Sequence, residues 1–187
     1  VQPKKSCNLI FTSGATRTTG KNVIIKGENT PGITITMSVL GLGDSYGGGK
    51  IACLSSDSQF QLVAANLNVP TPLTWGELGQ AVGPNAQSND NGARNTEFIL
   101  KKLGRDDDYA AKQCSVYSID SKGNSPCQTP NPCYTKWFLP AKNQLNCLWV
   151  NRAIVGGFSP NLSYWSSTES SEISPEQLAW SQSFNSI

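Results

Sequence analysis

WFLPAKNQLNCLWVNRAIVGGFSPNLSYWSSTE, residues 137–169, holds a strand, a helix and a second strand with the punctuation between them. Trp137-Phe138-Leu139 reads as a short buried strand. Pro140 then fits the first turn of a helix, where its missing N–H is no loss. Leu145, Leu148 and Trp149 fall at i, i+3 and i+4, the spacing of one apolar helix face. Asn143, Gln144, Asn146 and Asn151 lie between them and face water. Gly156-Gly157 ends the helix. Tyr164-Trp165 opens a strand that continues through the short hydrogen-bonding side chains of Ser166, Ser167, Thr168 and Glu169.

Working outward, residues 93–103 show helical spacing, with Phe98, Ile99 and Leu103 inward, Lys101 and Lys102 outward, and Gly104 as the stop. Asp106, Asp107 and Asp108 set three carboxylates at the start of a second helix, where the helix dipole favours them. Ala110, Ala111, Cys114 and Tyr117 make its buried face. Residues 50–54 and 60–65 read as strands paired across 55–58. Residues 9–12, 22–26 and 33–39 are rich in β-branched side chains and form a small antiparallel sheet, with clean alternation at 33–37. Downstream, Leu178, Trp180 and Phe184 fall on alternate places, with polar Gln182 the exception, along a strand that returns to Tyr164. Two long loops, 70–92 and 118–134, remain. These elements predict an α+β fold: a twisted, mainly antiparallel sheet, two or three packed helices and long disulfide-tied loops. Residues 1–40 form a small N-terminal β segment and 41–187 the main domain.

The chain has 187 residues, 37% hydrophobic and 15% charged, with 17 Gly and 11 Pro. That is loop-rich and low in charge, yet too apolar and aromatic for disorder. No run approaches the roughly 18 apolar residues of a membrane-spanning helix. Nothing behind Val1-Gln2-Pro3-Lys4-Lys5 has the apolar core of a signal peptide, which reads as a mature or excised piece with any export signal upstream. Histidine is absent, so Ser-His-Asp and Cys-His mechanisms are excluded. The six cysteines show no C-x-x-C spacing, which disfavours zinc. An even count in a loop-rich chain predicts disulfides and export, against the alternative of six reduced thiols in a cytosolic protein. Cys127 and Cys133 flank a proline-rich turn and make the natural local pair. Cys114 and Cys147, each on a predicted helix, are placed to staple the two together, which leaves Cys7 for Cys53.

Several motif-like stretches fail on spacing. The glycine run at 41–49 leads into a strand, not a helix, and fits no phosphate loop. Asn89-Asp90-Asn91-Gly92 lacks the acidic first and twelfth ligands of a calcium loop, so turn and capping chemistry explains it. The triple Asp is explained by its helix start without a metal.

The order W-x-L-P-A-K-x-x-L, G-G-F, Y-W-S-S-T-E and A-W-x-x-x-F resembles the C-terminal domain family of the Legionella collagen-like adhesin. The upstream G-G-G-K-I-A, L-V-A-A, isolated W-G, N-G-A-x-N-T and A-A-x-x-C fit the same family. The resemblance covers roughly residues 41–184. It implies a surface or secreted bacterial domain that binds sulfated glycosaminoglycan through basic residues, trimeric at the tip of a collagen stalk. A C-type-lectin-like shape is a further analogy. Relatives carry at least one more strand after the point where this chain stops, which implies a truncated or divergent end.

Net charge is +2, too small for general attraction to nucleic acid or another polyanion, but local clusters matter. Lys101, Lys102, Arg105 and Lys112 lie on consecutive predicted helices, and Lys136, Lys142 and Arg152 flank the central stretch. These seven are the candidate polyanion contacts; a solvated helix face partly neutralised by Asp106–Asp108 is the plainer reading of the first four. Trp137, Trp149, Trp165 and Trp180 fit strand or helix patterns and read as core; Trp75, alone in a polar loop, suits either surface or interior. Glu169 is the best candidate for a buried carboxylate. Glu77, Glu97, Glu172 and Glu176 show no catalytic spacing. The expectation is a non-catalytic domain with no cofactor, metal or membrane insertion. A structural module that recognises protein is the alternative, and a polysaccharide-cleaving enzyme would need two carboxylates sharing a cleft.

Overall fold

In a computed structural model of the protein, which describes residues 18–29, 31–54, 61–69, 73–77, 80–171 and 179–185, the chain divides into two units, Val1–Gly41 and Leu42–Ile187. The first unit is an antiparallel hairpin of β1 (Thr18–Ile25) and β2 (Ile33–Val39). Val23 pairs with Ile35 and Ile25 with Ile33. The alternation at 33–37 shows from Thr34 onward: Ile35, Met37 and Val39 are half-buried and Thr34, Thr36 and Ser38 face out, whereas Ile33 is exposed. The strand read at 9–12 lies outside the described residues.

The second unit starts with β3 (Ser45–Tyr46), which turns into β4 (Gly49–Leu54); β4 pairs antiparallel with β5 (Gln61–Ala65). Helix α1 (Gly92–Leu103) follows the loop, capped by the Asn91 side chain, whose oxygen accepts from the Arg94 N–H at 3.0 Å. Helix α2 (Ala110–Val116) leads into β6 (Ile119–Asp120), paired antiparallel with β7 (Cys133–Tyr134). Helices α3 (Lys142–Val150) and α4 (Arg152–Val155) precede β8 (Ser163–Glu169), which pairs antiparallel with β9 (Ala179–Ser183). The protein is therefore α+β, and among the described residues every strand ladder is antiparallel, with one isolated parallel bridge between Thr74 and Tyr109. Among the described residues the ladders are four separate short sheets rather than one continuous sheet.

Two apolar cores form in the second unit. One gathers Ile99, Leu100, Tyr109, Ala110, Ala111 and Leu139. The other gathers Ala52, Ala64, Leu145, Leu148, Val155 and Phe184. The inward face of α1 includes Leu100, which the spacing argument left out. Phe98 is only half-buried, with the Arg94 guanidinium 5.6 Å from its ring centre.

Four sequence expectations are corrected. Residues 137–139 join no ladder. Their backbone is paired by side chains instead: the Thr96 hydroxyl accepts from Leu139 N–H at 3.1 Å and faces its carbonyl at 3.4 Å. Gln144 and Asn151 do not simply face water. The Gln144 Oε1 accepts from Gly92 and Ala141 N–H groups, and the Asn151 amide donates to the Ala52 carbonyl at 2.9 Å. Trp165 is 36% exposed and not a core residue. Finally, Cys147 joins Cys53, not Cys114. The helix-to-helix staple fails because α3 lies on β4, where Cys53 sits, while Cys114 packs at the edge of the other core. Cys114 is a free thiol. Cys7 cannot hold Cys53 and itself lies outside the described residues. The local Cys127–Cys133 bond is present.

Candidate functional site

The motif residues meet in one polar network rather than in an open site. Gly92, at the first turn of α1, lies against the 139–141 backbone. A Cβ there would sit 2.6 Å from the Leu139 carbonyl oxygen and 2.7 Å from the Ala141 nitrogen, so only glycine permits the approach. Asn95, one turn on, is fully buried. Its amide donates to the Ser88 carbonyl at 2.7 Å and to Ser167 Oγ at 3.3 Å. Along β8, the Ser167 N–H donates to the Pro140 carbonyl at 2.7 Å. The Thr168 hydroxyl accepts from Lys142 N–H and donates to the Ser88 carbonyl. Trp75, half-buried, donates its indole N–H to the Ser166 carbonyl at 2.7 Å, which resolves its position in favour of the interior.

Glu169 ends this strand and is 1% exposed. Its two oxygens accept from the Val82 and Gly83 N–H groups, each at 2.6 Å. The carboxylate predicted as buried thus binds the 80–83 loop to β8. A second buried carboxylate, Asp120, was missed. It accepts from the N–H groups of Lys122, Asn124 and Gln128 and from the side-chain amides of Asn124 and Asn131. Burial alone would raise this carboxyl; the Asn124, Asn131 and Lys122 donors outweigh it and hold it well below the ordinary carboxylate range. The available signal was Asp120 two residues before Lys122-Gly123-Asn124, the spacing of an Asx turn.

The seven candidate cations divide by their surroundings. Lys112 is tied to Asp108 at 3.0 Å across one helical turn. Lys142 places its ammonium 3.2 Å from the centre of the Trp180 ring. Arg152 lies 4.6 Å from the Trp149 ring centre and donates to the Trp149 carbonyl at 2.8 Å. Lys136 is exposed, at a backbone φ of 67°. Lys101, Lys102 and Arg105 are exposed at the C-terminal end of α1 and just beyond it, and among the described residues no ion pair engages them.

Among the described residues, two concave regions bear on function. A small cleft of about 230 Å³ is lined by Glu77, Asp107, Asp108 and Tyr109. It brings carboxylates together in a way the sequence did not indicate. Asp108 accepts from the side chains of Lys112 and Gln113, which lower its carboxyl below the ordinary range; a general acid needs the opposite. The larger cleft, about 760 Å³, lies between the two cores and is walled mainly by aliphatic and aromatic side chains. Neither Asp120 nor Glu169 lines it. Among the described residues, no group of three His, Cys, Asp or Glu side chains is placed to hold a metal ion, and no helix is long and apolar enough to cross a membrane.

Comparison with protein-family models, with curated proteins and with solved structures finds no match to this chain.

Proposed function

We propose that the chain is a binding domain of a secreted or surface-exposed bacterial adhesin, related to the collagen-like adhesin domain and built on a C-type-lectin-like scaffold. It holds sulfated glycosaminoglycan or a similar anionic polysaccharide without chemical change. The observation that carries this reading is the trio Lys101, Lys102 and Arg105, exposed and, among the described residues, held in no ion pair, while Lys112, Lys142 and Arg152 are occupied. Two cations in the last turn of α1 and a third just past its glycine stop suit the repeated sulfates of such a chain by charge-assisted contacts. The two disulfides support an oxidising destination. Assembly as a trimer would multiply one modest patch by avidity.

Retention on immobilised heparin across a salt gradient tests it. The native chain is expected to elute above physiological ionic strength. The triple variant Lys101→Ala, Lys102→Ala, Arg105→Ala is expected to elute with a control protein of equal net charge, while Lys112→Ala with Asp108→Ala shifts little. Native protein eluting with the control would remove the reading. The second reading, a structural module that recognises protein, is favoured by the apolar cleft, whose rim carries the exposed side chains of Leu67, Leu162 and Trp165.

A further inference from the structure

The two cores of the second unit do not merge. Leu139 and Ala110 of one, and Ala64, Leu145 and Leu148 of the other, face the same cleft of about 760 Å³. Close-packed interiors leave few voids larger than a water molecule, whereas small-molecule sites occupy roughly 300–1,000 Å³. The walls are apolar in kind: Leu62, Phe158, Tyr164 and Trp137 add to the five just named. A polysaccharide would need many polar partners there and would find few.

Among the described residues, the lining contains one charged side chain, Lys136, and no carboxylate. Lys136 is one of the lining residues and is exposed. Its backbone φ of 67° is a left-handed conformation that an L side chain adopts at a cost, and such outliers collect at binding sites. An apolar body and a single anionic head satisfy all of these features together.

We propose that this cleft binds a long-chain alkyl carboxylate, with the tail between the two cores and the head on Lys136. The site is separate from the α1 cations, so the heparin result does not bear on it. The carboxylate gains a charge-assisted contact that the matching alcohol lacks, and a cationic head meets like charge.

The test uses the full chain, oxidised, with dodecanoate, dodecanol and dodecyltrimethylammonium below their micellar concentrations. Tryptophan fluorescence reads binding. Alkylation of Cys114, a lining residue with a free thiol, reads location by peptide mapping. Dodecanoate is expected to saturate at one per chain, about tenfold tighter than dodecanol, and to slow Cys114 alkylation; the cation is expected not to bind. Lys136→Met should erase the preference of carboxylate over alcohol, and Lys136→Arg should restore it, with unchanged circular dichroism in both. Equal binding of carboxylate and alcohol by the native chain would overturn the proposal. So would binding without protection of Cys114. A non-reducing map that joins Cys114 to Cys7 would also overturn it, because the cleft wall would then hold the chain's own residues.

Discussion

Asp120 and Glu169 show how a single carboxylate can organise a loop. Five donors converge on Asp120, and its folded carboxyl titrates well below its unfolded counterpart. A depressed folded value means stabilisation that is complete above the unfolded pKa, near 4, and lost as pH falls toward the folded one. The 121–131 loop is therefore expected to loosen on acidification from about pH 4 downward, read by amide exchange at Asn124 and Gln128. Asp120→Asn should remove that pH dependence and lower the melting temperature by several degrees at neutral pH. Glu169→Ala leaves the Val82 and Gly83 N–H groups without an acceptor. The expected cost is about 3 kcal/mol, measured by urea unfolding, with no change in heparin retention. Glu169 was legible because it closes a run of hydrogen-bonding side chains on a strand. Asp120 was not, because its partners Gln128 and Asn131 come from the far side of a loop whose path the spacing does not reveal.

Segments are joined in this protein more by side-chain bonds than by ladders. The extended 137–140 stretch has no strand partner; Thr96 of α1 and Ser167 of β8 take up its backbone. This explains why the N-G-A-x-N-T, W-x-L-P and S-S-T-E stretches belong together. The small side chains permit close approach, and the hydroxyls and amides replace sheet hydrogen bonds. The Cys53–Cys147 bond ties β4 to α3 across a separation of 94 residues, against 6 for Cys127–Cys133. Closing the longer loop should contribute more: about 5 kcal/mol against about 2 by loop-closure entropy. Replacing Cys53 and Cys147 by Ser is expected to lower the denaturation midpoint more than replacing Cys127 and Cys133. Helix existence and polarity were readable here from the 3.6-residue period. The pairing of Cys147 was not, since α2 and β4 both offered a cysteine and only packing chose between them.

The chain has little net charge, and its second unit presents a basic helix end and an apolar cleft. The first acts through solvent, so its effect should decay within a Debye length, about 8 Å at physiological salt. Fusing the chain to a trimeric coiled coil is expected to raise the salt needed for heparin elution. The same fusion carrying the triple alanine change should lose retention, which separates avidity from nonspecific charge. The cleft acts by excluding water, so salt should change tail binding little while weakening the preference for a carboxylate head.

Local interactions governed what could be read along the chain. The α+β class, the antiparallel hairpins, the helices and their glycine stops all follow from periodicity and from the conformational limits of Gly and Pro, which operate over a few residues. Contacts between distant segments decided the rest: which cysteine met Cys53, which cations stayed free, where Trp75 turned, and that two cores left a cleft between them. Each of those outcomes is a competition among chemically similar side chains for one partner, and only the distances and burial set by tertiary packing rank the competitors.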